Sequence, residues 1–99
     1  MANGFEIKWT DHALHELSNT IDYLKENWSE TEIIQFANAV DHTVEIISRH
    51  PEIFPVSNKR KKTHKAVVDK NNTIYYRVLK KSVQIISVFS SKQDPEKRK

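Results

Sequence analysis

Asn27-Trp28-Ser29-Glu30-Thr31-Glu32-Ile33 closes one helix and opens another with almost no linker. Ser29 followed three residues later by Glu32 is a capping box: the serine side chain accepts from the Glu32 amide while the Glu32 carboxylate reaches back to the cap. Working backwards, Leu14, Leu17, Ile21, Leu24 and Trp28 recur at spacings of three and four, an apolar helical stripe about five turns long. Thr10 supplies its N-cap, Asp11 lies near the positive end of the helix dipole, and Asn27 assists the break. Working forwards, Ile33, Phe36, Ala37, Val40, Val44 and Ile47 mark one face of a second helix, which His50-Pro51 ends because a residue before proline avoids helical geometry. Two helices joined this tightly form an antiparallel hairpin.

The flanks read as strands. Phe5-Glu6-Ile7-Lys8-Trp9 alternates apolar and polar residues, a short half-buried strand. Residues 50–62 form a loop carrying Ile53, Phe54 and Val56 as apolar anchors. Thr63 to Asp69, Thr73 to Leu79 and Val83 to Phe89 are strands separated by Lys70-Asn71-Asn72 and Lys80-Lys81-Ser82, an antiparallel meander. Strand alternation puts Ile74, Tyr76 and Val78 on one face and Thr73, Tyr75, Arg77 and Leu79 on the other. The expected fold is α+β, β-α-α-β-β-β, with the N-terminal helix hairpin packed on one face of a small, mostly antiparallel sheet. Residues 1–99 make one domain, with a charged, mobile tail from about residue 90.

Charge is divided along the chain. Residues 1–50 hold three Lys/Arg and nine Asp/Glu, net −6, whereas residues 51–99 hold thirteen and four, net +9; together these give +3. The basic half opens on Lys59-Arg60-Lys61-Lys62-Thr63-His64-Lys65, a cluster that repels itself unless solvent or an anion relieves it. Read plainly it is a solvated loop before a strand; the asymmetry around it favours contact with nucleic acid or an acidic partner. Lys59, Arg60, Lys61, Lys62, Lys65 and Arg77 would then supply charge and Tyr75 a stacking ring. A metal-independent nuclease needs a base, an acid and cations at the phosphate, and His64, Tyr75 and Arg77 are the residues available for those roles.

Other chemistries find less. The chain has no cysteine, so disulfides and thiolate metal sites are excluded. His12, His15 and Glu16 lie on adjacent turns without a second pair, which reads as a solvated helix face and not a metal site. Gly4 is the single glycine, so there is no glycine-rich phosphate loop, and no cofactor is expected. Trp9 and Trp28 read as core or interface residues. No apolar run approaches membrane-spanning length and no signal-peptide core is present, so a cytoplasmic protein without a membrane partner is expected.

The element order and several residues resemble the RelE/ParE toxin family of bacterial toxin–antitoxin pairs. The resemblance runs from about residue 5 to 95. It rests on Trp9-Thr10 before Ala13 and Leu17; the Ile21, Tyr23, Leu24 helix; Ile46-Ile47 before His50-Pro51; the 59–65 run; Ile74-Tyr75-Tyr76-Arg77-Val78; and Ile85-Ile86-Ser87-Val88-Phe89. It implies two helices on a small sheet, a growth-inhibiting toxin, and a cognate antitoxin that wraps it. ParE-type members block DNA gyrase; RelE-type members cut mRNA in the ribosomal A site. The nuclease members generally place an Arg where Thr73 stands, and a His-, Tyr- or Arg-rich end where Ser90-Ser91-Lys92-Gln93-Asp94-Pro95 stands. The expectation is therefore a ParE-like binding toxin. The alternatives are a ribosome-dependent mRNA endonuclease and a non-toxic member that only binds. A homodimer and a hetero-oligomer with antitoxin both stay open.

Overall fold

A computed structural model describes residues 4–57 and 62–91. Within it the chain runs β1 (Glu6–Trp9), α1 (Asp11–Asn27), α2 (Glu30–Arg49), β2 (His64–Asp69), β3 (Asn72–Val78) and β4 (Ser82–Ser90). The strands form one sheet in the order β1-β4-β3-β2. β2, β3 and β4 are the expected antiparallel meander. β1 lies parallel to β4, with Glu6, Ile7, Lys8 and Trp9 opposite Ser82, Val83, Gln84 and Ile85. The three basic residues Lys59, Arg60 and Lys61, and the tail from Lys92, lie outside the described residues.

Both helix starts form as their caps dictate. Thr10 Oγ1 accepts the Ala13 N–H at 3.1 Å and itself donates to the Ile85 carbonyl at 3.0 Å, so one hydroxyl both opens α1 and ties it to β4. Ser29 and Glu32 make the full capping box. After α2, Phe5 N–H donates to Ser48 O and Ser48 Oγ donates to Phe5 O, each at 2.8 Å, clipping the chain start to the helix end. Gly4 fits beside this clip only without a side chain, since a Cβ would collide with Ser48 Oγ.

Most of each expected stripe packs on the core, Leu17, Ile21 and Leu24 from α1 and Phe36, Val40, Val44 and Ile47 from α2, but the closest contacts are made by other residues. Ala13 and Thr20 are the buried residues of α1, and Leu14 is 47% exposed. In α2 the buried set is Phe36, Val40, Thr43 and Ile47, while Ala37 faces outward. Small and hydroxylated residues take the closest positions because the helix backbone approaches the sheet there; Thr20 Oγ1 satisfies itself on Glu16 O at 3.0 Å. The sheet supplies Ala66, Ile74, Tyr76, Val83, Ile85 and Val88 to the same core. Each larger aliphatic side chain buried there contributes about 1.5–3 kcal/mol. Of the three loop anchors, only Phe54 packs on the core; Ile53 and Val56 are 61% and 54% exposed.

β4 has nine residues and β1 only four, so β4 continues past its neighbour with an open edge. Glu16 closes it. Its Oε1 accepts the Val88 N–H at 2.8 Å and the Ser87 hydroxyl at 2.7 Å, and its Oε2 lies 3.2 Å from His12 Nε2. Glu16 therefore does not belong to a solvated helix face, as the sequence suggests, but is a structural acceptor. Glu16→Ala leaves a strand N–H and a hydroxyl unpaired and is expected to cost about 1–3 kcal/mol in urea unfolding, with Glu16→Gln recovering part of the loss.

Candidate binding face

The two faces of the sheet have different chemistry because successive strand residues point oppositely. On the helix side, Tyr76 is fully buried and donates to Pro51 O at 2.6 Å. The His64 ring stacks on it, with centroids 5.0 Å apart and planes 13° apart, and Phe54 meets it edge-on at 6.3 Å. His64 Nδ1 lies 2.7 Å from Phe54 O; a carbonyl only accepts, so Nδ1 carries the proton. Burial pushes the Tyr76 phenol up to about 12; the Phe54 backbone works the other way, and the Glu52 carboxylate adds a smaller push upward. This cluster fastens the segment after α2 to the sheet.

Among the described residues no helix covers the opposite face. Lys65, Tyr75 and Ser87 are directly opposite one another on β2, β3 and β4, and Ser87 ends the row against Glu16. One step along β3, Arg77 lies opposite Gln84. Lys65 and Arg77 are exposed, and Tyr75 is half-buried between them. Exposed Val67 and half-buried Phe89 flank Thr73 in the next row. Lys62, exposed and in the left-handed backbone region at φ 58, stands just ahead of β2. Of the binding residues expected from sequence, Lys65, Tyr75 and Arg77 thus share one surface, and Lys59, Arg60 and Lys61 are outside the described residues. Of the catalytic trio, Tyr75 and Arg77 lie together; His64 pairs with Tyr76 and faces the other way. A face of this kind can hold an anion by charge and a planar group by its ring.

A concavity lies where α1 and α2 meet the β2–β3 turn. It is an open groove of about 490 Å³, floored by Leu24, Trp28, Phe36 and Ala39 and rimmed by Glu32, Gln35 and residues 69–72. Asn72 there donates through Nδ2 to both Asp69 oxygens, at 2.9 and 3.1 Å. Glu16, which the sequence suggests is part of a solvated face, and Thr20, which lies outside the apolar stripe, are the side chains that seat α1 on the sheet. Their signal was the inner spacing Ala13, Glu16, Thr20, which is helical but not apolar. Among the described residues no cluster of three His, Cys, Asp or Glu could hold a metal, and no helix is long and apolar enough to cross a membrane.

A helix hairpin on a four-stranded sheet, with a basic open face, places the chain in the RelE/ParE class of toxin folds. The sequence model of the family described as "ParE toxin of type II toxin-antitoxin system, parDE" matches residues 7–95, and the chain belongs to that family. Among solved structures it is similar to the chromosomal ParDE toxin–antitoxin system of P. aeruginosa, with TM-score 0.76 and 13% identity over 90% of this chain and 98% of that one. It is also similar to the E. coli DinJ–YafQ complex, TM-score 0.62 and 9% identity over 91% and 96%. A YoeB/ParE toxin from Agrobacterium tumefaciens gives TM-score 0.62 and 10% identity over 86% and 96%. No curated protein matches the chain.

The raised Tyr76 phenol has a consequence for stability. Its proton leaves at 10.0 in the unfolded chain and at about 12 in the folded one. The stabilisation present below pH 10 is therefore lost as pH rises through 10 to 12, by about 2–3 kcal/mol in all. Urea unfolding of the wild type across this window is expected to show that loss, and Tyr76→Phe is expected to lack it while being about 1 kcal/mol less stable at neutral pH.

Proposed function

We propose that this chain is the growth-inhibiting toxin of a type II toxin–antitoxin pair, acting in the ParE manner by binding DNA gyrase through the open sheet face. One observation carries the reading. Lys65, Tyr75 and Arg77 converge on one surface, while His64, the imidazole of the basic segment, is stacked on Tyr76 and bonded to Phe54 on the other. The open face holds charge and an aromatic ring, the equipment of a binding surface. The nuclease reading would need His64 beside Tyr75 or Arg77, and adjacent strand positions separate them by the thickness of the sheet. Membership of the ParE family supports the same assignment.

A cognate antitoxin is the second proposed partner. The ParDE and DinJ–YafQ neighbours are toxin–antitoxin assemblies by name, and the fold is shared with them. An antitoxin of complementary, acidic character would cover the open face and neutralise the toxin by occupying what the target needs.

Induction of the protein alone in a bacterial host is expected to arrest growth, and the purified protein to inhibit supercoiling by gyrase, without new RNA 5′ ends in phase with codons. Arg77→Glu reverses the charge at the centre of the face and is expected to abolish both effects while leaving folding intact. Codon-phased RNA ends would instead assign the protein to ribosome-dependent mRNA cleavage. Arrest by Arg77→Glu at wild-type strength would sink the open-face assignment. A folded, expressed protein that neither slows growth nor inhibits gyrase would be a binding module only.

A further inference from the structure

The groove between the helix hairpin and the β2–β3 turn lies on the helix side of the sheet, apart from the open face. Its floor of Leu24, Trp28, Phe36 and Ala39 is apolar, and its volume of about 490 Å³ is that of a ligand cleft. Asn72 lines it and is only 7% exposed. The Asn72 Nδ2 is committed to Asp69, while its Oδ1 is buried with no hydrogen-bond partner among the described residues. A buried acceptor in this state costs free energy that a donor brought into the groove recovers. On the rim, Glu32 accepts from the Ser29 amide and Asp69 from the Asn71 amide, and neither carboxylate is paired with a described cation. β4 ends at this same place. Ser90 lies opposite Asn72, and the Ser91 N–H donates to Asn71 O at 2.9 Å, so the chain leaves the sheet beside two lining residues.

We propose that the segment after β4, Lys92 to Lys99, docks back into this groove as a strap, crossing the Trp28–Phe36 floor with its cations against Glu32 and Asp69. Position selects this occupant first. Ser91 stands at the rim, and at about 3.3 Å per residue eight residues reach up to about 26 Å, enough to cross the groove. Charge selects it second. The segment holds Lys92, Lys97, Arg98 and Lys99 against Asp94 and Glu96, net +2, whereas the helices that wall the groove belong to the half of the chain with net −6. The tether selects it third. Exposed ion pairs are individually weak, but a segment anchored at the rim is present at an effective concentration of about millimolar order, an advantage no free peptide has. Pro95 suits the apolar floor because it has no N–H to bury. A tail N–H entering beside Ser91 supplies the donor that Asn72 Oδ1 lacks. The strap leaves the open face uncovered, so it is independent of the function proposed for that face.

Paramagnetic broadening in the full chain tests this. The chain has no cysteine, so one introduced cysteine takes a nitroxide label at a single site. Asn38 is exposed on α2 between the lining residues Gln35 and Ala39. Lys80 is exposed in the β3–β4 turn, at the far end of the sheet from the groove. With the label on Asn38→Cys, the amide signals of residues 96–99 are expected to lose most of their intensity; with the label on Lys80→Cys they should keep it. Charge reversal of the tail, Lys97→Glu with Arg98→Glu and Lys99→Glu, should restore the signals in the Asn38→Cys protein, and the dispersion of the remaining amide signals reports that each variant is folded. Equal loss from both labels, or loss from neither, would place the tail outside the groove and overturn the proposal. Loss that survives the charge reversal would overturn the pairing with Glu32 and Asp69. Equal loss when the spin-labelled chain is mixed with a separate, isotope-labelled chain would assign the groove to a second copy's tail and overturn the strap within one chain.

Discussion

β4 is the strand on which the rest of the molecule depends, because it is central to the sheet and its two edges are served unequally. On one edge β3 pairs along nearly its whole length. On the other, β1 covers Ser82 to Ile85 and then stops. A strand edge left open in this way invites pairing with another chain. Here the chain turns at Thr10, whose backbone N–H and hydroxyl both donate to Ile85 O, and runs on as α1. One turn and a half later Glu16 presents a carboxylate to the Val88 N–H. The helix thus finishes the edge that the strand begins. It also explains why α1 carries small and polar residues, Ala13, Glu16 and Thr20, where it comes nearest the sheet.

The same arrangement separates two kinds of chemistry that are neighbours in sequence. Tyr75 and Tyr76 differ by one residue, yet one looks out among cations and the other is sealed beneath Pro51, Phe54 and His64. A one-residue slip of β3 would exchange them and bury Arg77. Register is pinned by the buried set Ile74, Tyr76, Ile85 and Val88 and by two bulges, one between Val67 and Asp69 on β2, the other where Tyr75 meets Ser87 and Tyr76 meets Ile85. The second bulge places one extra residue, Ile86, in β4, close to where Thr10 and Glu16 attach. It lets the inward alternation of Val83 and Ile85 resume at Val88 instead of Ser87.

Local chemistry made much of this legible in the sequence. The Thr10 cap, the Ser29–Glu32 box, the His50-Pro51 stop and the alternation of residues 73–79 each depend on near neighbours alone, and each is found where the residues place it. What depended on distant partners was not legible. The phase of α1 was set by how closely its backbone approaches the sheet, so Leu14 turned outward although it continued an apolar pattern. Ile53 and Val56 looked like anchors because they are apolar, but only Phe54 reaches the Tyr76 ring. Glu16 looked like a surface charge because nothing local says that β4 outruns β1. The placement of Lys65, Tyr75 and Arg77 on one face followed from alternation; the arrival of Lys8 beside them required a parallel pairing across more than seventy residues of chain, as Lys8 and Gln84 show.

The fold accommodates neighbours as different as ParDE and DinJ–YafQ at 13% and 9% identity, so the scaffold does not itself select a reaction. In the proposed reading, selection is made by which side chains alternate onto the open face. A proton-transfer site there would need an imidazole, or another group able to exchange protons near neutral pH, within reach of the cations. In this chain the imidazole at the start of β2 is spent on the other side, where its Nδ1–H fastens Phe54 and its ring covers Tyr76. Turning His64 outward would uncover a fully buried tyrosine and release the segment that follows α2. The packing that stabilises the core is therefore the same packing that leaves the open face to charge and stacking.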